Sequence, residues 1–183
     1  MDELSLYVLD ITMNSVRAGA DKISIELLED GEWLTLVVSD NGHGMTKEQL
    51  KRLDSPFFTT RKTRKVGFGI PFLKMLAEMT GGEVRITSVH ESESLEHGTK
   101  TVATFKTDHI DFIPLGDITE TVKTLIQGSP DIDFTFRHKT NNGEVYISCS
   151  EMREVLGEVP LNEPMVLTWI GENLKEQYDG INM

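Results

Sequence analysis

The chain has 183 residues, and its 30 acidic side chains against 18 basic ones give a formal net charge of -12, a surface that repels polyanions and argues against nucleic acid held through bulk charge. Hydrophobic content of 38% and charged content of 26% fit a folded domain, while the single cysteine, Cys149, excludes an intrachain disulfide and a cysteine metal cluster. No apolar run reaches the roughly 20 residues that span a bilayer, and the chain opens on Asp2-Glu3, so the expectation is a cytoplasmic protein without a membrane partner.

Residues 3–18 read as a helix ending at Gly19, where a left-handed cap forms most easily. Leu4, Val8, Leu9, Ile11, Val16 and Ala18 cover most of its circumference and leave a narrow polar stripe of Glu3, Asp10, Asn14 and Arg17, the pattern of a mostly buried helix. Residues 22–29 alternate Ile23, Ile25 and Leu27 with polar partners, and Asp30-Gly31 turns the chain into a second strand over 33–39, a hairpin. Asp40-Asn41-Gly42-His43-Gly44-Met45 follows directly, and Thr46-Lys47-Glu48-Gln49 has the capping-box pattern of a short helix ending near Leu53. Between Asp54 and Glu78 there is no acidic residue, yet Arg61, Lys62, Arg64, Lys65 and Lys74 all fall there. Pro56-Phe57-Phe58-Thr59-Thr60 leads into that basic run and Gly67-Phe68-Gly69 ends it. A helix from about Ile70 to Thr80 follows, with Pro71 in its first turn and Gly81-Gly82 closing it, then strands over 83–88 and 100–106.

After about Thr107 the glycine motifs end, but the patterning continues as a helix over 117–127, a hairpin of 132–137 and 144–149 around Asn141-Asn142-Gly143, and helices over 150–156 and 162–178. The expected class is α+β, a two-layer α/β sandwich with helices on one face of a mixed, mostly antiparallel sheet. Residues 1–107 form its first domain, and residues 108–183 an accessory α/β module docked on it. Ile132, Phe134, Phe136, Val145, Tyr146 and Ile147 give the hairpin enough apolar surface to lie beside the first sheet or its flanking helices, leaving 162–178 to face a partner.

Two glycine turns flanking a basic segment make a cradle for a phosphate and a purine. Glycine lets the backbone approach a ligand closely, and an acidic side chain at a strand end accepts from an exocyclic amino group. Asp10 and Asn14, four apart, lie one helical turn from each other. A carboxylate there can orient or deprotonate an attacking group and an amide oxygen can ligate Mg²⁺, or the pair is simply the solvent stripe of a buried helix. Gly67-Phe68-Gly69 runs into a helix N-terminus that favours anions, with Thr59, Thr60, Arg61, Lys62 and Arg64 just ahead as hydroxyl and cationic partners for phosphate.

The order of these pieces resembles the GHKL superfamily and its Bergerat ATP-binding fold, closest to the ATP-binding domain of bacterial sensor histidine kinases and to the anti-sigma-factor kinases. The likeness covers residues 1 to about 106: a helix with acid-x-x-x-Asn, a D-x-G-x-G after a strand, an S-P-F-F-T-T lid, a G-x-G-[I/L], and a late Gly98-Thr99. It implies ATP or ADP with Mg²⁺ as ligands, Asn14 as the metal ligand and Asp10 as the candidate base. Asp40 would bind the adenine amino group, with Gly42, Gly44 and Met45 beneath the purine and Thr99 supporting Asp40 through its hydroxyl or a water. Gly67, Phe68, Gly69 and Ile70 would receive the phosphates, while Phe57 and Phe58 would anchor a lid over 55–66. Phe57, Phe58 and Thr99 also read as ordinary core or strand positions.

The chain departs from that family at Asp10, where Glu or His is usual, at Ser15 for a usual Ala and at Ile70 for a usual Leu, the last two mild changes. No dimerisation hairpin with a phosphoacceptor histidine precedes the Asn-bearing helix, and His43, His90, His97, His109 and His138 all fall in loops or strand contexts. The expectation is therefore a stand-alone Mg-ATP-dependent protein kinase acting on a histidine or serine of a separate partner protein. A nucleotide-dependent binding switch without phosphotransfer is the alternative, and an ATPase clamp ranks behind both.

Overall fold

The structure is a computed structural model that describes residues 2–54 and 69–182. Its elements are α1 (Leu4–Arg17), β1 (Lys22–Asp30), β2 (Trp33–Asp40), α2 (Lys47–Lys51) running into a single 3₁₀ turn (Arg52–Asp54), α3 (Gly69–Met79), β3 (Val84–Val89), β4 (Gly98–Lys106), α4 (Ile118–Gly128), β5 (Asp133–Lys139), β6 (Glu144–Ser148), α5 (Cys149–Leu156) and α6 (Pro164–Ile181). The capping box read from Thr46 is present: its side chain accepts from the Gln49 N–H, and the Gln49 side chain accepts from the Thr46 N–H.

The six strands form one sheet in the order β3-β4-β2-β1-β5-β6. Every pairing is antiparallel except β1 with β5, which is parallel, so the sheet is mixed as its patterning implies. Alternation fixes which face is covered: Ile23, Ile25 and Leu27 of β1, Leu34, Leu36 and Val38 of β2, and Phe134 and Phe136 of β5 are all buried. Register aligns them, with Ile25 opposite Val38 on one side and Phe136 on the other. Val8 and Ile11 of α1, Leu73 and Ala77 of α3, Val122 and Leu125 of α4, and Ile170 and Leu174 of α6 join them in one core cluster that runs across residue 107 without a break.

The edge that β1 would otherwise expose is paired along its length by β5, and β6 ends the sheet on that side. Gln177 of α6 then covers the β6 edge: its amide oxygen accepts from the Tyr146 N–H and its amide nitrogen donates to the Tyr146 carbonyl, both at 2.9 Å, as a neighbouring strand would. A second tie joins the same layers. Buried His138 stands 2.8 Å from the Tyr178 hydroxyl through Nδ1 and 2.8 Å from the Glu29 carboxylate through Nε2. Burial, with Glu29 adding to it, pushes the Tyr178 phenol far above its ordinary range, so the hydroxyl keeps its proton; the Glu29 carboxylate accepts from Nε2–H.

Helix α1 begins without a side-chain cap. Its first N–H groups, of Leu4 and Ser5, donate instead to the carbonyls of Pro114 and Leu115 at 2.9 and 2.8 Å, and the Ser5 carbonyl accepts from Thr121 of α4. The segment before α4 thus completes the N-terminus of the helix that carries Asp10 and Asn14. Among the described residues no helix is long and apolar enough to cross a membrane.

Candidate functional site

Strand β2 delivers Asp40 to the end of the sheet, where the chain turns through Asn41, Gly42, His43 and Gly44. The half-buried carboxylate is held at both oxygens. Oδ1 accepts from the Gly42 N–H at 2.9 Å and the Thr99 N–H at 3.2 Å, and Oδ2 accepts from the Ser15 hydroxyl. Oδ1 is thereby filled by its two donors, while Oδ2, with one, keeps acceptor capacity, so the group presents a fixed acceptor to a ligand donor.

The turn itself is fastened from three sides. Asn41 accepts from the Asp21 and Lys22 N–H groups, both at 3.0 Å, and donates to the Asp21 carboxylate. The His43 N–H donates to the Ala18 carbonyl at the end of α1, and the Met45 N–H donates to the Ser88 hydroxyl. His97 reaches the Gly42 carbonyl through Nδ1, and His43 the Gly44 carbonyl through Nδ1; a carbonyl only accepts, so both rings carry their proton there. Gly44 and Gly98 have φ of 71° and 142°. A Cβ at Gly44 would strike the Val89 carbonyl and one at Gly98 the Asp40 carbonyl, so glycine alone lets the turn close on β3, and β4 on the end of β2, to backbone contact. A cleft of about 780 Å³ opens here, with Asp21, Asp40, Asn41, His97 and Thr99 among its walls.

Thr99 meets Asp40 through its backbone N–H, while its hydroxyl stands 2.8 Å from the Ser88 hydroxyl. Asp10 and Asn14 lie one turn apart on α1, both half-buried. Asp10 Oδ2 rests against Gly69, the first residue of α3, so closely that any Cβ there would collide with it. The Asp10 carboxylate therefore takes the space that a side chain at Gly69 would need, and α1 and α3 meet closely there. Ile70, next along, packs partly on the core, and half-buried Met45 follows the turn. The Asn14 side-chain oxygen accepts from the Arg17 guanidinium at 2.8 Å.

Among the described residues no group of three or more His, Cys, Asp or Glu side chains is placed to hold a metal ion. The donor set fits Mg²⁺ only as a site completed by water and ligand phosphate, with Asn14 as a single neutral oxygen that already faces a cationic donor. Phe57, Phe58, Thr59, Thr60, Arg61, Lys62, Arg64, Gly67 and Phe68 lie outside the described residues.

Ser15, Ser88, Asn41 and His97 carry contacts that motif reading passes over. His97 had a signal in its place beside Gly98-Thr99, and Asn41 in standing between Asp40 and Gly42. Ser15 and Ser88 had none, since their partners sit 25 and 43 residues away in sequence.

Residues 2–109 match the family model described as histidine kinase-, DNA gyrase B-, and HSP90-like ATPase. The sensor histidine kinase ZraS of Salmonella typhimurium is 30% identical over 91 residues, covering 48% of this chain and 19% of that kinase. Sporulation kinase E of Bacillus subtilis is 30% identical over 100 residues, covering 52% of this chain and 13% of that kinase. The chain thus spans less than a fifth of either relative's length. Among solved structures, the Aquifex aeolicus MutL ATPase domain complexed with ADP superposes with a TM-score of 0.56 at 15% identity, covering 85% of this chain and 68% of that one. That share exceeds what residues 2–109 alone provide, so the likeness of fold extends into the C-terminal region.

Proposed function

The chain belongs to the histidine kinase-, DNA gyrase B-, and HSP90-like ATPase family, and on that premise we propose that it binds ATP or ADP with Mg²⁺ and acts as a protein kinase, passing phosphate to a histidine or serine of a separate partner protein in signal transduction. The observation that carries the reading is the Asp40 edge. A carboxylate pinned by Gly42, Thr99 and Ser15, beside backbone brought close by Gly44 and Gly98, is a prebuilt acceptor for the adenine amino group. Adenine would lie across the Gly42–Gly44 backbone and over Met45.

In this reading Asn14 would hold Mg²⁺, which would supply positive charge against the phosphates. Asp10 holds its carboxylate one turn away on the same helix, where it can orient or take a proton from the attacking group. The basic segment 61–65 neutralises the triphosphate. Residues 1–107 then form the nucleotide-handling unit and residues 108–183 an accessory unit docked on it. All five histidines of this chain lie outside its helices, and His138 is buried in a closed network.

The second reading, a nucleotide-dependent binding switch without phosphotransfer, is favoured by one contact: Asp10 is lodged against Gly69 at the start of α3. Asn14→Ala and Asp10→Asn separate the two. Under the kinase reading Asn14→Ala abolishes Mg²⁺-dependent binding, whereas Asp10→Asn leaves ADP affinity intact and lowers transfer of label from γ-labelled ATP to a co-purified partner by about 10²-fold or more. An unchanged transfer rate in Asp10→Asn removes the base assignment. Absence of any label on the partner with wild-type protein favours the switch.

A further inference from the structure

Arg17 stands in the last turn of α1 with its Nη1 2.8 Å from Asn14 Oδ1, the atom assigned to the metal in the reading above, on which this inference rests. We propose that Arg17 is a resident cation that the divalent metal must displace, and that it thereby sets how much metal the nucleotide site requires. Mg²⁺ binds oxygen at about 2.0–2.1 Å, so a metal on Oδ1 with the guanidinium still in place would put a double positive charge within about 5 Å of a single one. Such a pair repels, and Arg17 is permanently protonated, so it cannot relieve the repulsion by losing a proton. It must move instead. Arg17 is exposed, so its movement leaves no buried cavity.

The same geometry explains why the contact forms without metal. The C-terminal turn of a helix carries partial negative charge, and the Asp10 carboxylate lies one turn back on the same side, so the end of α1 attracts a cation of either kind. The guanidinium holds the Asn14 amide by its oxygen, the atom a metal would take. It raises the metal concentration at which exchange takes place, while keeping the ligand atom aimed. Arg17 is a positioning residue in this account: it acts through Asn14.

Binding of Mn²⁺, followed by loss of the free-ion signal in electron paramagnetic resonance, reads the effect directly on full-length protein saturated with ADP. Arg17→Gln keeps a hydrogen-bond donor and removes the charge. It should bind Mn²⁺ about three- to tenfold more tightly than wild type, and Arg17→Lys, which keeps the charge, should stay within about twofold of wild type. Equal Mn²⁺ affinity in wild type and Arg17→Gln, or weaker affinity in the variant, overturns the proposal while leaving the nucleotide site standing. Failure of wild-type protein to bind ADP at any Mn²⁺ concentration overturns both together.

Discussion

The two sides of the sheet handle polar groups in opposite ways. At the β2–β4 end, Asp40 is fixed by three donors yet still offers acceptor capacity beside an open cleft, and glycines keep the backbone accessible. On the β1–β5–β6 side, polar groups face inward and are used up: His138 is bonded on both ring nitrogens, and Gln177 spends its amide on the Tyr146 backbone. Between these closed networks stand Phe134, Phe136, Val145 and Ile147, all buried. A region that leaves oriented capacity unspent is built to bind, whereas one that closes every valence is built to hold. Helix α1 belongs to both, with Asp10, Asn14 and Ser15 at the site and Leu4 and Ser5 capped by the carbonyls of residues 114 and 115.

If the second region is support for the first, removing it takes both down. Truncation after Thr107 strips β5 from β1, uncovers Ile23, Ile25 and Leu27, and deprives α1 of its cap. The expected outcome is a fragment without a cooperative melting transition or ADP binding, read by calorimetry. A soluble fragment with unchanged melting behaviour would break the comparison.

A smaller effect tests burial on the supporting side alone. Desolvation pushes the Cys149 thiol up from 9.0 to about 11, with Asp133 adding to it and Arg153 and a backbone hydrogen bond opposing. The unfolded chain releases this proton near pH 9 and the folded chain holds it to about pH 11, so stability present below pH 9 declines as pH rises through that window, by on the order of 2 kcal/mol. Denaturant midpoints should fall over that range, and Cys149→Ala should flatten the fall. A midpoint as steep in the variant as in wild type would assign the decline elsewhere.

The smallest expected change lies at the binding end. Ser15→Ala removes one donor from Asp40 and should weaken ADP by about 0.5–1.5 kcal/mol, with little change in melting temperature. An unaltered ADP affinity would mean that Gly42 and Thr99 suffice to hold the carboxylate.

Much of this was legible in the sequence because it is local. The alternation of Ile23, Ile25 and Leu27, the Thr46 capping box and the turn at 141–143 each announce an element through neighbours in the chain, and the glycine pattern around Asp40 announces the site. What could not be read is what the fold decides over distance. Nothing in 132–137 states that it pairs parallel to β1, because a buried strand of Phe and Thr suits either direction. Ser15 reads as a mild replacement for alanine until the fold brings Asp40 to its hydroxyl. At Thr99 only the fold shows that the backbone N–H reaches Asp40 and that the hydroxyl lies against Ser88. Asp10 reads as exposed chemistry, and only the start of α3 reveals that Gly69 makes room for it.

The proposed nucleotide site depends most on Asp40 as its fixed acceptor. Isothermal titration of the full chain with ADP and Mg²⁺, for wild type and Asp40→Asn, tests it most directly. The account predicts saturable binding at one site by wild type and an affinity lowered by about 1–3 kcal/mol in the variant, with the fold intact by circular dichroism, since an amide at this position misplaces a donor against the adenine amino group. No binding heat in wild type, or equal affinity in the two proteins, would contradict it.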